Sequence, residues 1–330
     1  MDRIYLVTGA AGHLGSVVTR QLIEKGETVR TLVLPGEKYI PQEAQTFYGD
    51  VRNKESLKQC FESIEKQELI VIHCAGIVSI ASKIDPVVYE VNVTGTKNVV
   101  DLCIEHHAKK LIYVSSVHAI PEEPHGSMIS ETKDFNPDKV LGGYAKSKAE
   151  ATSYVLQAAK KGLNACVVHP SGIIGPYDYG RGHLTMLIID YCKHRLTAGV
   201  DGGYDFVDVR DVASGIIAAC DKGVEGECYI LSNKYFKVKE ILSFLHEITK
   251  GHEIKTFLPS WFVKITAPLA ELYYKILKRP PLFTSYSIYT LNSNAFFSNK
   301  KAAIELGYAT RDIRETISDT IDWLKAQGRI

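Results

Sequence analysis

The chain has 330 residues, 45% apolar and 23% charged, with a formal net charge of +1; this is long enough for one large or two interlocked globular domains. Lys and Arg are interspersed with Asp and Glu, so no basic face invites nucleic acid. Cys60, Cys74, Cys103, Cys166, Cys192, Cys220 and Cys228 stand far apart in mostly apolar segments without Cys-x-x-Cys or His-Glu-x-x-His spacing, which predicts buried free thiols, no metal site and a reducing compartment.

No charged-then-apolar leader precedes the first strand and no apolar run reaches spanning length, so a cytoplasmic location is expected. That strand, Ile4 to Val7, is followed by Thr8-Gly9-Ala10-Ala11-Gly12-His13-Leu14-Gly15 and by a helix with Leu14, Val18 and Leu22 on one face. Gly9 suits the turn, Gly12 leaves no Cβ between backbone and ligand, and Gly15 lets the helix lie close on the strand. Such a turn cradles a dinucleotide pyrophosphate on the free N–H groups of a helix N-terminus, with Gly9, Ala11, Gly12, His13 and Leu14 as its binding residues. The spacing is Gly-x-x-Gly-x-x-Gly, not the tighter Gly-x-Gly-x-x-Gly, and three glycines could also serve the turn alone.

Thr28 to Leu34 reads as the second strand, with its tip toward the adenosine ribose. Leu34 and Lys38 stand there, and neither the acid that selects NAD nor the Arg that selects NADP is present; Lys38 is the one nearby cation. Strands follow at Ala44 to Tyr48, Leu69 to Cys74 and Lys110 to Val114, alternating with helices. This order predicts an α/β doubly wound parallel sheet with right-handed crossovers. In the long helix from Pro86 to His107, Asn92 and Gly95 are unfavourable residues that need a reason: active-site use, or close packing at Gly95 beside a solvated Asn92.

Lys110 to Val114 delivers Ser115-Ser116 to the carboxyl edge, and Gly142-Gly143-Tyr144-Ala145-Lys146-Ser147-Lys148 then opens a helix. Tyr144 and Lys148 are one turn apart, so the Lys ammonium would lower the pKa of the phenol. Tyr144 then exchanges a proton with a carbonyl oxygen as hydride arrives, and a Ser hydroxyl holds that oxygen. Downstream, Tyr177-Asp178-Tyr179-Gly180-Arg181-Gly182-His183 reads as a ligand-covering loop, with a plain surface loop as the alternative. Val209 to Cys220 and Val238 to Thr249 read as helices, Glu227 to Leu231 as a strand, and Ile313 to Leu324 as a core-facing helix. The aromatic and basic stretch 259–291, beginning near Trp261, reads as a lid over the substrate pocket; a dimer surface or a peripheral membrane contact are the alternatives.

Taken together, these motifs resemble an extended short-chain dehydrogenase/reductase of the NAD-dependent epimerase/dehydratase superfamily. Gly49-Asp50-Val51, His73-Cys74-Ala75-Gly76, Asn92-Val93-Thr94-Gly95-Thr96, His169-Pro170-Ser171-Gly172-Ile173 and Phe206-Val207-Asp208 fit as well. The resemblance implies a Rossmann domain over 1–168, with 196–222 returning to it, and a smaller α+β substrate lobe mainly over 169–330. It implies a catalytic set of Ser116, Tyr144 and Lys148, with Asn92 lining the site. For the coenzyme it implies Asp50 and Val51 near adenine, Cys74, Ala75 and Gly76 along the backbone, Pro170 to Ile173 at the nicotinamide, and Tyr144 and Lys148 beside it. Ser116, Tyr177, Tyr204 and Trp261 are the expected substrate residues. The closer likeness is to dihydroflavonol-reductase-like and 3β-hydroxysteroid-dehydrogenase-like reductases, which implies hydride transfer between NAD or NADP, with a lean to NADP, and an apolar or mid-sized ketone or alcohol. The alternatives are a nucleotide-sugar epimerase or dehydratase, weakened by Tyr204 where an Arg is usual but kept open by Arg181 and Arg210, and a non-catalytic coenzyme sensor, which the intact Ser-Tyr-Lys set disfavours. A small-molecule substrate is the expected partner, and a homodimer is compatible with the sequence.

Overall fold

β1 (Arg3–Thr8) lies inside a seven-stranded sheet because its residues are apolar on both faces. The protein is described by a computed structural model covering residues 2–64, 67–79, 85–180, 182–263 and 285–330. The other strands are β2 (Thr28–Val33), β3 (Gln45–Tyr48), β4 (Glu68–His73), β5 (Lys110–Val114), β6 (Ala165–Pro170), β7 (Gly172–Ile174), β8 (Gly199–Val200), β9 (Gly203–Asp208), β10 (Cys228–Leu231), β11 (Lys234–Lys237) and β12 (Phe257–Leu258). The main sheet has the order β10-β6-β5-β4-β1-β2-β3 and is parallel throughout. The order reverses beside β1, and the crevice at the carboxyl ends of β1 and β4 is the place where such sheets bind ligands. β11, β9 and β7 form a second sheet, and β12 pairs with β8.

Alternate residues of each strand enter separate cores, as the period of two requires. Leu6, Val71 and Leu111 pack with Leu57, Val99 and Leu102 on one face. Tyr5, Val7, Ile70 and Ile112 pack on the other with Val17, Val18, Leu22, Val212 and Ile216. The first group meets α2 (Lys54–Phe61), α4 (Gly95–Glu105) and α5 (Gly143–Ala159); the second meets α1 (His13–Glu24) and α7 (Val209–Lys222), α3 being Pro86–Tyr89 and α6 His183–Cys192. α8 (Val238–Thr249) has the expected bounds, and the helix Ile313–Ala326 buries Ile313, Ile317, Ile321 and Leu324 as its spacing predicts. All seven cysteines are free thiols, and five of them are buried. No helix among the described residues is long and apolar enough to cross a membrane.

The long helix expected over Pro86 to His107 is not continuous. A π-helical turn, Glu90–Thr94, separates α3 from α4, and the helix ends at Glu105 with His107 at a left-handed φ of 50°. Gly95 follows this turn because a Cβ there would lie 2.6 Å from Val51 Cγ2. Gly95→Ala should therefore cost about 1–3 kcal/mol, the usual range for overpacking. Urea unfolding should show part of that loss returning in the Gly95→Ala/Val51→Ala double variant, since Val51→Ala vacates the space.

Candidate active site

The turn after β1 is built for close approach. Gly9 has φ +67°, and a Cβ on it would stand 2.7 Å from Ala75 Cα; a Cβ on Gly15 would stand 2.2 Å from the Gly9 carbonyl oxygen. Gly12 caps α1, with no side chain on the helix N-terminus and no acid in its first turn. The α1 dipole therefore faces open backbone donors, a fit for a pyrophosphate. His13 and Leu14 are half-buried beside Ala11, and His13 Nε2 lies 2.9 Å from the Pro176 carbonyl oxygen.

From this turn a chain of hydrogen bonds crosses the carboxyl edge. Ala75 N–H donates to Thr8 Oγ1 (3.2 Å), which meets His73 Nδ1 at 2.7 Å; His73 Nε2 meets Thr96 Oγ1 at 3.0 Å. Thr96 Oγ1 donates its proton to the Asn92 carbonyl (2.7 Å), so His73 Nε2 must carry the hydrogen that Thr96 accepts. Nδ1 is then the acceptor, and Thr8 donates to it. His73 is accordingly neutral, and burial, with Lys148 adding to it, pushes its pKa down to about 3.

Asn92 continues the chain from within the π-turn, where it is fully buried. The expectation of a solvated Asn92 as the bland alternative is thus corrected, whereas close packing at Gly95 holds. Its Oδ1 accepts from Ile77 N–H (2.8 Å), and its Nδ2 donates to the Ile77 carbonyl (3.0 Å) and to Ser147 Oγ (3.1 Å). Ser147 Oγ donates in turn to the Tyr144 carbonyl (2.7 Å). Both N–H groups and the oxygen of the Asn92 amide are engaged, and it acts on Tyr144 through the backbone of α5. It is a positioning residue in this geometry.

Lys148 Nζ donates to the Val114 carbonyl (2.9 Å), touches Tyr113 Oη at 3.5 Å and lies 5.0 Å from the Tyr113 ring centroid. A Cβ on Gly76 would come within 3.2 Å of both Lys148 Nζ and Asn92 Oδ1. Burial lowers the Lys148 pKa to about 8. Burial also raises Tyr144 to about 12, opposed by a hydrogen bond with Ser116. The expected lowering of the phenol by Lys148 is therefore not the dominant effect: the ammonium is turned to Val114 and Tyr113, and Tyr144 holds its proton. Ser116 caps a short turn, its Oγ accepting from His118 N–H (3.2 Å), whereas Ser115 Oγ is tied to Thr152 Oγ1 (2.7 Å).

The structure also joins residues that the sequence left apart. Tyr204 reaches the site through His118, a residue not singled out beforehand although it stands two positions after Ser116. Their rings stack at 5.6 Å, with Tyr204 Oη 3.2 Å from His118 Nε2. Tyr177 goes elsewhere: its ring is 6.1 Å from that of Trp323, and the Arg20 guanidinium lies 5.3 Å from its centroid. Its neighbour Tyr179 stacks on Tyr39 at 4.1 Å, which joins this loop to the tip of β2. Leu34 and Lys38 are exposed at that tip. Asp50 is paired with Arg52 (2.7 Å), which lowers its pKa. Val51, through its carbonyl, accepts from Asn98 (2.8 Å). Cys74 is half-buried after β4, Pro170 is buried at the end of β6, and Ile173 is half-buried in β7. Trp261 is 65% exposed and lines a cavity of about 200 Å³ with Glu122, His125 and Tyr289. Residues 264–284 of the expected 259–291 lid, and Arg181, lie outside the described residues, whereas the last part of that lid forms the helix Ser285–Asn292. Arg210 is held by Asp208 (2.7 Å) and Asp319 (2.6 Å), so its guanidinium is already paired. No cluster of three or more His, Cys, Asp or Glu able to hold a metal occurs among the described residues.

A family model for the NAD dependent epimerase/dehydratase family matches residues 5–232. The chain belongs to that family. It is an NAD-dependent oxidoreductase of the short-chain dehydrogenase/reductase type. It is 29% identical to sterol demethylase protein B of Methylococcus capsulatus, over 98% of this chain and 99% of that protein. A Synechocystis sp. protein provisionally named dihydroflavonol 4-reductase is 28% identical, over 100% of this chain and 97% of its own length. Isoform 1 of the 3beta-hydroxysteroid-dehydrogenase/decarboxylase of Arabidopsis thaliana is 31% identical, over 89% of this chain and 70% of its own length. The crystal structure of gox2253 superposes with a TM-score of 0.85 at 29% identity, covering both chains completely. The reductase branch within the superfamily is thus the one the motifs resembled.

The depressed Lys148 pKa makes a stability prediction. With a folded value of about 8 against an ordinary 10.5, the unfolded chain binds more protons between those two pH values, so stability rises with pH across that window. Chemical unfolding should show wild type gaining on Lys148→Met as pH climbs from about 8 to 10.5, with a constant difference below.

Proposed function

We propose that the protein reduces an apolar, uncharged ketone to a secondary alcohol, with Tyr144 as proton donor and Ser116 holding the carbonyl oxygen. The observation that carries this reading is the pairing of Tyr144 with Ser116 in a site where burial keeps the phenol protonated. A group that holds its proton at neutral pH suits donation to a developing alkoxide. When bound, the reduced nicotinamide supplies the hydride. Lys148 and Gly76 would flank one part of its site, and the α1 N-terminus would hold its pyrophosphate. Asn92 fixes the Ile77 backbone and the Tyr144 helix turn. Residues 1–168 would carry most of the coenzyme contacts, aided by 196–222, and the later residues most of the substrate contacts.

Three features support an apolar substrate over a nucleotide sugar. Tyr204 stands beside the site without a cation, Arg210 is bound to two carboxylates, and the nearby His118 is neutral because burial lowers its pKa to about 4. A diphosphate needs free cations or backbone donors. Relatives named for sterol and steroid chemistry agree with this direction. For the coenzyme the reading is modest discrimination with a lean to NADP(H), since Lys38 is the one cation near the β2 tip that could attract a 2′-phosphate and the reductase branch sets the analogy.

Tyr144→Phe keeps the ring and removes the proton, so kcat for steroid, flavonoid or aliphatic ketones should fall by roughly 10²–10⁴-fold with coenzyme affinity little changed. Near-normal turnover would overturn the assignment. Calorimetric titration with NADPH and NADH should give affinities within about tenfold, the equivalent of one modest charge interaction; a hundredfold preference for NADH would reverse the lean. Stabilisation by UDP-sugars but by no apolar ketone, in a thermal-shift screen with coenzyme, would make epimerase chemistry the better reading.

A further inference from the structure

Three elements converge on His118. Its Nε2 is 3.2 Å from Tyr204 Oη, and its Nδ1 is 3.4 Å from Tyr286 Oη. Its ring lies nearly parallel to that of Tyr204 (12°) and meets the Tyr144 ring edge-on at 6.0 Å and 72°. Tyr204 comes from β9, Tyr286 from the helix Ser285–Asn292, and Tyr144 from α5. Tyr286 is seated firmly: Gly142, at φ +95° before α5, has no Cβ, and one there would lie 2.4 Å from Tyr286 Cε2. Tyr204 and Tyr286 are both buried, whereas the His118 ring keeps partial exposure and so borders open space.

Proton counting then has a consequence. A neutral imidazole has one N–H and one lone pair. One phenol donates to the lone pair, and the other accepts from the N–H and keeps its own O–H hydrogen. Among the described residues Tyr204 Oη has no hydrogen-bond partner besides His118, whereas the Tyr286 phenol also has the Thr290 hydroxyl, so the unpaired O–H is that of Tyr204 when Tyr286 donates to Nδ1. A buried donor left unpaired is costly, and it is satisfied most simply by an acceptor on the ligand.

We infer that the Tyr204–His118–Tyr286 triad is a second polar anchor of the substrate pocket, which donates one O–H to an oxygen acceptor of the substrate other than the carbonyl held by Tyr144 and Ser116. The ligand it fits is an uncharged, ring-containing ketone with a second ether, hydroxyl or keto oxygen. The inference rests on the ketone-reductase reading and adds a specificity determinant to it.

The test compares 2-tetralone with its ring-methoxylated positional isomers in the complete protein with NADPH. Wild type should favour at least one methoxy isomer in kcat/KM by about three- to tenfold, the worth of one neutral hydrogen bond, with the gain in KM. The ratio of methoxy isomer to parent should fall to about one in His118→Phe, which keeps a flat ring without ring nitrogens, and in Tyr204→Phe or Tyr286→Phe. A merely structural role would lower both substrates' kcat/KM together and leave that ratio unchanged. Tyr204→Phe and Tyr286→Phe each delete one oxygen, so the ratio remains readable even where His118→Phe does not fold. Absence of any methoxy preference in wild type, or its survival in all three variants, overturns the anchor while the reductase reading stands. Reduction of none of these ketones by wild type overturns both.

Discussion

The site depends on one proton-ordered chain of hydrogen bonds, from Ala75 through Thr8, His73, Thr96, Asn92 and Ser147 to the Tyr144 carbonyl. Each hydroxyl in it donates once and accepts once, so only one arrangement of protons satisfies all members. That is a stronger constraint than the individual bonds, because a buried network with one unsatisfied group is worse than an apolar core. The chain fixes the Gly9 to Gly15 turn against the helix that carries Tyr144. Asn92 makes its bonds to Ile77 and Ser147 from inside the π-turn, and π-turns recur at positions of this kind.

Around this chain the protein keeps ionisable groups uncharged. Burial lowers His73, His118 and His169 and raises Tyr144. Lys148 is the exception, and it sits on a carbonyl and an aromatic face instead of a carboxylate. An ammonium held only by dipoles keeps its field for whatever lies over Gly76. A carboxylate partner would neutralise that field, and solvent would screen it.

Much of this was legible in the sequence, and the reason is local. The Gly9 to Gly15 turn, the apolar strands and the Tyr144/Lys148 spacing are determined by residues within a turn or two of each other. Gly95 was also readable as a packing glycine, though its partner Val51 lies 44 positions earlier. The π-turn was not readable, because nothing in Glu90 to Thr94 breaks a helical period; the partners of Asn92 come from two other elements. His118 was missed for the same reason. Its neighbours Tyr204 and Tyr286 are distant in the chain, and only the fold brings three phenols around one imidazole. Lys148 misled the reading of the Tyr144 pKa, since sequence spacing gives the helix face but not the direction of the ammonium.

The thiols described in the fold have a chemical consequence for handling the protein. Burial pushes Cys60, Cys74, Cys166 and Cys228 to about 12, and raises Cys103, Cys220 and Cys192 as well. Alkylating agents and peroxides react with the thiolate, a form these groups scarcely populate at neutral pH while the chain is folded. Seven silent sulfurs that become nucleophiles only on opening amount to a built-in clock for unfolding. Because they are spread over both faces of the sheet, the order in which they are trapped reports which core loosens first.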